Sequence, residues 1–314
     1  MNETDIAWTD TTWNSVHGCS KVSAGCDNCY AERISRQYGH TDHAWTNEHA
    51  GENVSTRPDK LKEPYALTEP SRIFVNSMSD LFHAAVPDEF ILDVFAVMRN
   101  CPHHISQTLT KRPGRATHMT LEWPPNVWMG TSVEDGRVTD RIDLLRECDA
   151  ETLFLSCEPL IGPLGEIDLS GYDWVIAGGE SGPDADRRDM DHAWARDILR
   201  QCRRDDVAFF FKQSSARQPE TNPYLTVDRG GIDVQVQFRE LPALSPVVER
   251  ARAAYAGGCV GVSVLDDLPP GCGCLGCARP ASFVVDHPDH GHRTVCKTHA
   301  RDYPVIERLG GDSA

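Results

Sequence analysis

Arg72-Ile-Phe-Val-Asn76 is the first of six short apolar runs that decide the fold of this chain. Each run is rich in β-branched and aromatic residues and is apolar on both faces, which is the pattern of parallel strands covered by helices. The other five follow as far as residue 211: His104-Ile-Ser-Gln-Thr-Leu-Thr110, Asn126-Val-Trp-Met-Gly130, Thr152-Leu-Phe-Leu-Ser156, Asp173-Trp-Val-Ile-Ala177 and Val207-Ala-Phe-Phe-Phe211.

Helical patterns lie between these runs. Pro87 opens one in which Phe90, Val94, Phe95 and Met98 share a face, since proline suits a first helical turn. Strand–helix alternation through six or seven units favours a full or partial (β/α) barrel over a doubly wound sheet. Two further helices are marked by Val138, Ile142 and Leu145, and by Ile198, Leu199 and Cys202.

The alternation stops after Phe211. A loop with a hairpin turning at Gly230 and Gly231 is predicted next, followed by a short helix over 245–256. We therefore predict three parts: an α/β barrel domain over 1–243, a helix and linker over 244–265, and a small Cys/His module over 266–314.

The charge of the chain is strongly acidic, with a formal net charge of -16. That sign argues against a non-specific nucleic-acid binder but not against an enzyme with a local basic cleft. The chain has no apolar run of transmembrane length, and its polar, acidic first residues do not resemble a signal peptide. We therefore predict a cytoplasmic protein that does not bind membranes.

The chain has twelve cysteines, of which seven form one cluster at 19–29 and another at 272–296. Without an export signal a disulfide framework is not expected, and clustered cysteines in a reducing compartment usually bind metal. The single cysteines fit better as small buried apolar residues. They are Cys101, Cys148, Cys157, Cys202 and Cys259.

Cys19, Cys26 and Cys29 of the first cluster have the spacing C-x6-C-x2-C. Three thiolates can hold three irons of a 4Fe-4S cluster and leave the fourth iron open. An open iron suits a chelating ligand such as S-adenosylmethionine (SAM), through its amino and carboxylate groups. Two alternatives stay open: a structural zinc site with His17 as the fourth ligand, and a redox pair of cysteines with a bystander.

Polar residues follow nearly every strand-like run. The carboxyl ends of strands in an α/β barrel meet at one rim, where active sites are built. Lys111 or Lys212 would pair with the SAM carboxylate, and Asp80 or Glu134 with its ammonium or ribose. The alternative is that these residues only solvate loops. The candidate SAM-binding residues are Tyr30, Asn76, Ser77, Asp80, Lys111, Thr131, Ser132, Glu134, Glu158, Glu180 and Lys212.

The second cluster has zinc-finger spacing, C-x2-C and later C-x2-H. The predicted Zn²⁺ ligands are Cys274, Cys277, Cys296 and His299. Unliganded or redox cysteines are the alternative. Other residues that fit as ligands are Cys272 in place of Cys274, and His287, His290 or His292 in place of His299.

Several motifs together resemble a family common in phages and bacteria, known as phage proteins of unknown function with a three-Cys motif. The resemblance covers roughly residues 4–215 and implies a radical-SAM-like protein distantly similar to spore photoproduct lyase. Most radical-SAM proteins use C-x3-C-x2-C, so the first gap is longer here. The motifs are Trp8-Thr-Asp-Thr-Thr-Trp13, Cys29-Tyr30-Ala-Glu, Phe74-Val-Asn-Ser-Met-Ser-Asp80, Leu109-Thr-Lys-Arg-Pro113, Val127-Trp-Met-Gly-Thr-Ser-Val-Glu134, Ser156-Cys-Glu-Pro-Leu160 and Ala177-Gly-Gly-Glu-Ser-Gly182.

The resemblance implies a radical mechanism. The reduced cluster would cleave SAM to a 5′-deoxyadenosyl radical, which abstracts hydrogen from a substrate. A nucleobase or nucleic acid is the expected substrate of this modification or repair, with an electron-donor protein as partner and, for a phage protein, the host cytoplasm as location. Two alternatives remain: a non-enzymatic zinc-binding module that contacts nucleic acid or protein, and a cluster used for electron transfer without SAM.

Overall fold

A computed structural model describes residues 1–183, 185–256, 283–287, 291–295 and 305–308. Its strands form one large sheet and three small ones. The strands are β1 (Asn2–Glu3), β2 (Thr11–Trp13), β3 (Val16–His17), β4 (Ser55–Thr56), β5 (Arg72–Val75), β6 (Ile105–Thr110), β7 (Val127–Ser132), β8 (Thr152–Cys157), β9 (Trp174–Gly178), β10 (Ala208–Gln213), β11 (Leu225–Asp228), β12 (Asp233–Val236), β13 (Phe283–His287), β14 (Gly291–Val295) and β15 (Val305–Arg308).

The large sheet has the strand order β1-β2-β5-β6-β7-β8-β9-β10. Strand β1 is antiparallel to β2, and the seven strands from β2 to β10 are parallel. Within the described residues the two edge strands do not pair with each other, so the curled sheet stays open. The fold is therefore mixed α/β with a partial barrel, which confirms the partial form of the predicted barrel and not the closed form.

Seven α-helices connect or flank the strands of the described residues. Three predicted helical patterns in the barrel are confirmed as α3, α5 and α6, and the helix predicted over 245–256 is confirmed as α7. In α6 the side chain of Asp191 accepts a hydrogen bond from the Ala193 N–H and so caps the first turn. The helices are α1 (Tyr30–Gln37), α2 (Ala50–Asn53), α3 (Asp88–Arg99), α4 (Pro113–His118), α5 (Asp140–Arg146), α6 (His192–Arg204) and α7 (Pro246–Ala256).

Two separate apolar cores pack on the two faces of the large sheet. The convex face packs against α3, α5 and α6 through residues such as Ile91, Ile142 and Ile198. The concave face forms an aromatic cluster. Gly130 is required there, because a Cβ atom at this position would lie 2.3 Å from the Phe154 ring. The aromatic members are Trp8, Phe74, Trp128, Phe154, Trp174 and Phe210.

Helix α7 covers the end of the barrel at which the strands begin. Its Val248 is buried in the aromatic cluster. The Arg252 guanidinium donates to the Pro70 carbonyl at 3.2 Å, just before β5, and the Tyr255 hydroxyl donates to Leu67 at 3.2 Å. The helix thus packs on the barrel, although the sequence analysis grouped it with the linker.

All six predicted strands are confirmed, but the sequence missed β2. Its three residues, Thr11–Trp13, hold no apolar run, yet they pair in parallel with β5. The predicted hairpin is β11–β12, and Gly230 and Gly231 adopt positive φ angles in its turn.

No helix of the described residues is long and apolar enough to cross a membrane. In the C-terminal part, β13 pairs antiparallel with β14 and β15. The predicted zinc ligands Cys274, Cys277, Cys296 and His299 lie outside the described residues, so the zinc module stays a prediction.

Candidate functional site

A cavity of about 200 Å³ lies where the parallel strands end. Cys19, Cys26 and Cys29 line this cavity from a loop above the strands, which we call the cysteine loop (residues 18–30). The structure also brings eight of the predicted SAM-binding residues to its wall. They are Tyr30, Asn76, Ser77, Asp80, Lys111, Ser132, Glu158 and Lys212.

One side of the cysteine loop is held by Glu134, which follows β7 and is 1 % exposed. Its Oε1 accepts a hydrogen bond from the Ser23 hydroxyl at 2.9 Å, and its Oε2 accepts one from the Arg141 guanidinium at 3.1 Å. Gly25 packs directly on this carboxylate, because a Cβ atom at Gly25 would lie 2.4 Å from Oε1. Glu134 therefore positions the loop instead of facing the cavity.

The other side of the loop is held by Glu180, which follows β9. Its Oε2 accepts hydrogen bonds from the Asn28 amide at 3.1 Å and from the Arg188 N–H at 2.7 Å. The Arg188 guanidinium also binds Glu180 and donates to the Ala24 carbonyl at 2.9 Å. Two carboxylates, from the ends of β7 and β9 on either side of β8, thus fix the loop across the rim.

Arg112 links Cys19 to the strand ends. Its Nη1 lies 3.5 Å from the Cys19 sulfur and donates to Asp80 Oδ2 at 2.9 Å, while Nη2 donates to the Ser20 carbonyl at 2.8 Å. Asp80 also accepts hydrogen bonds from the Phe82 and Lys111 N–H groups and from the Thr110 hydroxyl. This carboxylate is fully engaged within the protein, and it orients the guanidinium toward the thiol.

Asn76 brings an unpaired donor to the cavity. The residue has a φ of 61°, and its Oδ1 accepts from the Val16 N–H at 3.0 Å and the Ser15 hydroxyl at 3.3 Å. Its Nδ2 is buried and has no hydrogen-bond partner in the described structure. A buried amide N–H₂ without a partner is costly, so this position favours a ligand acceptor.

Two lysines at the rim are paired with carboxylates. Lys212 Nζ lies 2.9 Å from Glu158 Oε1, and the Trp8 indole donates to Glu158 Oε2 at 3.2 Å. Lys111 Nζ lies 3.5 Å from Glu134 Oε1. The cavity wall therefore offers both signs of charge within one small space.

Burial favours the protonated form of two thiols of the cysteine loop, Cys19 and Cys29. It raises the pKa of Cys19 to about 12, against the lowering effect of Arg112, and it raises the pKa of Cys29 as well. A charge on Cys26 would raise both pKa values further. These sulfurs become good ligands only when a bound cation compensates their negative charge.

The spacing of the three sulfurs is wider than a single zinc ion requires. Tetrahedral zinc with Zn–S bonds of about 2.3 Å places its sulfurs roughly 3.8 Å apart. Among the described residues, the sulfurs of Cys19, Cys26 and Cys29 are not a group in which all ligand atoms lie within 4.8 Å of one another. The three sulfurs as described are therefore too far apart to bind one zinc ion together.

Thr131 is the predicted residue that the structure separates from the rim. Side chains alternate along a strand, so Thr131 of β7 points away from the face that carries Ser132. Its hydroxyl donates to the Thr110 carbonyl at 2.9 Å. The sequence analysis assigned polar residues at the strand ends to the site together. It did not take into account that successive side chains point to opposite faces of the sheet.

The sequence analysis left Arg112 and Trp8 out of the candidate set. Arg112 follows Lys111 in the strand-end motif, so the signal was present. Trp8 precedes the short β2, and its contact with Glu158 spans 150 residues of sequence. No local pattern indicates such a contact.

A larger, open cleft of about 780 Å³ adjoins the cavity and shares Lys21 and Cys29 with it. Arg33 and Arg36 of α1 line this cleft one helical turn apart, and both are exposed. Within the described residues neither has a recorded ion pair. Five carboxylates also line this cleft, so its wall carries both signs of charge.

A family described as "Protein of unknown function (DUF5131)" matches residues 3–268. The chain belongs to this family. The DUF5131 match covers the barrel and α7 and ends before the second cysteine cluster. No curated protein and no solved structure matches the chain. The expected family of unknown function is therefore confirmed, and its phage and radical-SAM connections stay predictions.

Proposed function

We propose that this chain is a radical-SAM-like iron–sulfur enzyme that modifies or repairs a nucleotide or nucleic acid. The observation that carries the proposal is the common cavity of Cys19, Cys26 and Cys29 with the strand-end polar residues. Loops that only needed solvation would not bring three thiols and eight polar side chains to one wall. The two sets were predicted from separate parts of the sequence.

The residues present fit a 4Fe-4S cluster. Burial raises the pKa of Cys19 and Cys29, the spacing of the three sulfurs exceeds that of a mononuclear zinc site, and the Arg112 guanidinium beside Cys19 offsets thiolate charge. Three ligands leave one iron free for the amino and carboxylate groups of SAM. When bound, such a cluster supplies the electron for reductive cleavage of SAM.

The chain's own groups would hold SAM in the cavity. The unpaired Asn76 Nδ2 would donate to a carboxylate or ribose oxygen. Lys212 would donate a hydrogen bond to the SAM carboxylate and Glu158 would accept one from the SAM amino group, while both SAM groups bind the open iron. Buried aromatic residues such as Trp8 and Phe74 would exclude water from the floor of the site.

Two arginines of the adjoining cleft support a phosphate-bearing substrate, and five carboxylates line the rest of its wall. Arg33 and Arg36 present cationic groups there without intramolecular carboxylate partners in the described structure, and arginine suits phosphate recognition. The cleft meets the cavity at Cys29, so a substrate on α1 would extend toward the bound SAM. We further propose an external electron donor and a Zn²⁺ ion on Cys274, Cys277, Cys296 and His299.

The metal content of anaerobically reconstituted protein tests this proposal. We expect about four irons and four sulfides per chain and a broad visible band that SAM perturbs. Cys26→Ala should lose the iron and the band, because two thiols remain. Cys148→Ala is the matched control, since Cys148 is buried on the convex face and should keep both.

About two zinc ions and no iron would overturn the proposal and favour a zinc-stabilised interaction module. A cluster that forms but whose spectrum SAM leaves unchanged would favour SAM-independent electron transfer. Equal loss of iron in Cys26→Ala and Cys148→Ala would show that the cysteine loop is not the cluster site.

A further inference from the structure

A second group of ligand atoms lies on the segment between α1 and β4. His43, His49 and Glu52 place one ligand atom each within 4.8 Å of one another. His43 Nε2 lies 2.9 Å from Glu52 Oε2, and His49 Nδ1 lies 3.5 Å from the same oxygen. The two imidazole rings are nearly parallel, with centroids 4.4 Å apart, so one ring must rotate before both in-plane nitrogen lone pairs point at one ion.

We propose that these three side chains bind one divalent ion of the zinc class. Zinc bonded to nitrogen and oxygen at about 2.0–2.1 Å places neighbouring ligands roughly 3.3 Å apart, which lies between the two measured distances. Two imidazoles and one carboxylate are ligands that zinc and the neighbouring late first-row metals accept. Because Glu52 is 62 % exposed and His43 47 %, water can complete the coordination.

The short helix α2 and the loop before it bring the three side chains together. Glu52 lies three residues after His49, so the two side chains share a face of the single turn α2. His43 reaches them from the preceding loop.

The proposed ion would stiffen one wall of the cavity rather than take part in chemistry. It would close the loop that carries Trp45, which lines the cavity. The Trp45 N–H donates to Glu32 Oε1 at 2.8 Å, and its carbonyl accepts from the Lys21 N–H at 3.1 Å. An ion bound by residues 43, 49 and 52 would thus restrain the segment that contacts the cysteine loop.

Isothermal titration with Zn²⁺ tests the site on full-length protein whose cysteines have been reconstituted. We expect wild type to bind one more ion than His49→Ala or Glu52→Gln, and its thermal midpoint to rise with zinc. Removing a ligand should weaken this site by more than the roughly 10- to 100-fold cost of losing a ligand's hydrogen-bond partner. His118→Ala is the control, because His118 is exposed outside the group.

Copper provides a second measurement that needs no activity. The electron paramagnetic resonance spectrum of one added Cu²⁺ should show nitrogen coupling that His43→Ala and His49→Ala each reduce. Equal zinc stoichiometry and equal thermal shifts in wild type and Glu52→Gln would overturn the proposal. Iron content in these variants tests the cysteine site separately, so failure here leaves the proposed function intact.

Discussion

The base and the rim of the half-barrel are lined by the same strands but have opposite chemistry. At the base, Trp174 is fully buried and contacts four other aromatic rings. At the rim, Glu134 is almost as buried, at 1 % exposure, but contacts Arg141 and the Ser23 hydroxyl. The base is held by area removed from water, and the rim by paired charges.

The change occurs within two residues along a strand. On β10 the inward side chain Phe210 is followed by Lys212, and on β8 Phe154 is followed by Ser156. Inward-facing positions recur every second residue. The next inward-facing side chain after the aromatic one is therefore already polar. The comparison indicates that the aromatic base supports the cavity from below and that the polar rim provides the groups that would bind a ligand.

The largest effect is expected at the base, from Trp174→Ala. The indole fills the centre of the aromatic cluster and donates to the Glu240 carbonyl at 2.8 Å. We expect the free energy of unfolding in urea to fall by about 3–5 kcal/mol, the range for losing a large buried aromatic side chain. A loss below about 1 kcal/mol would mean that the cluster collapses to fill the space.

Tyr224→Ala serves as the control for this variant, because its ring is 48 % exposed. Its unfolding free energy should match wild type. If Trp174→Ala does not yield folded protein, Trp174→Phe should show a smaller loss in the same direction, because it retains part of the apolar contact.

An intermediate effect is expected at the rim, from Glu134→Gln. The change keeps the shape but removes the charge opposite Arg141, and a hydrogen bond to a charged group contributes about 1.5–3 kcal/mol. We expect that loss in unfolding free energy together with faster loss of iron from reconstituted protein. Iron loss distinguishes this rim variant from Trp174→Ala at the base, which should change stability alone.

Glu166→Gln is the matched control for Glu134→Gln. Glu166 pairs with Arg200 and Arg204 on the surface, and its side chain is 62 % exposed. Solvent screens such a pair, so neither stability nor iron retention should change. An equal response in both variants would show that burial of the rim pairs is not what holds the cysteine loop.

The base was easier to predict from the sequence than the rim. The apolar runs contain Phe154, Trp174 and Phe210, so the strand pattern alone placed these aromatic residues on strands of a sheet. The rim depends on contacts far apart in sequence, such as Ser23 with Glu134, which no local period reveals. The sequence shows which side chains are polar but not how they pair. It does not reveal that Asp80 binds Arg112, or that Asn76 Nδ2 has no hydrogen-bond partner in the described structure.

The smallest effect concerns pH and compares one histidine from each region. His83 lies at the rim and hydrogen-bonds the Ser20 hydroxyl at 2.9 Å, while His104 lies near the base and hydrogen-bonds the Pro64 carbonyl at 3.3 Å. Burial lowers the pKa of both imidazoles from 6.5 to about 4. In the unfolded chain each would protonate near 6.5, so folding stability is full above that pH and declines as the pH falls toward 4.

His83→Gln and His104→Gln should each flatten the acid decline of the urea midpoint between pH 6.5 and 4, because each removes one group that the unfolded state protonates first. The variants should differ in iron retention. His83 contacts the cysteine loop through Ser20 and His104 does not, so only His83→Gln should release iron faster at neutral pH. Equal iron loss in both variants would mean that residues at the base also affect the cysteine loop. The distinction between a supporting base and a ligand-binding rim would then be wrong.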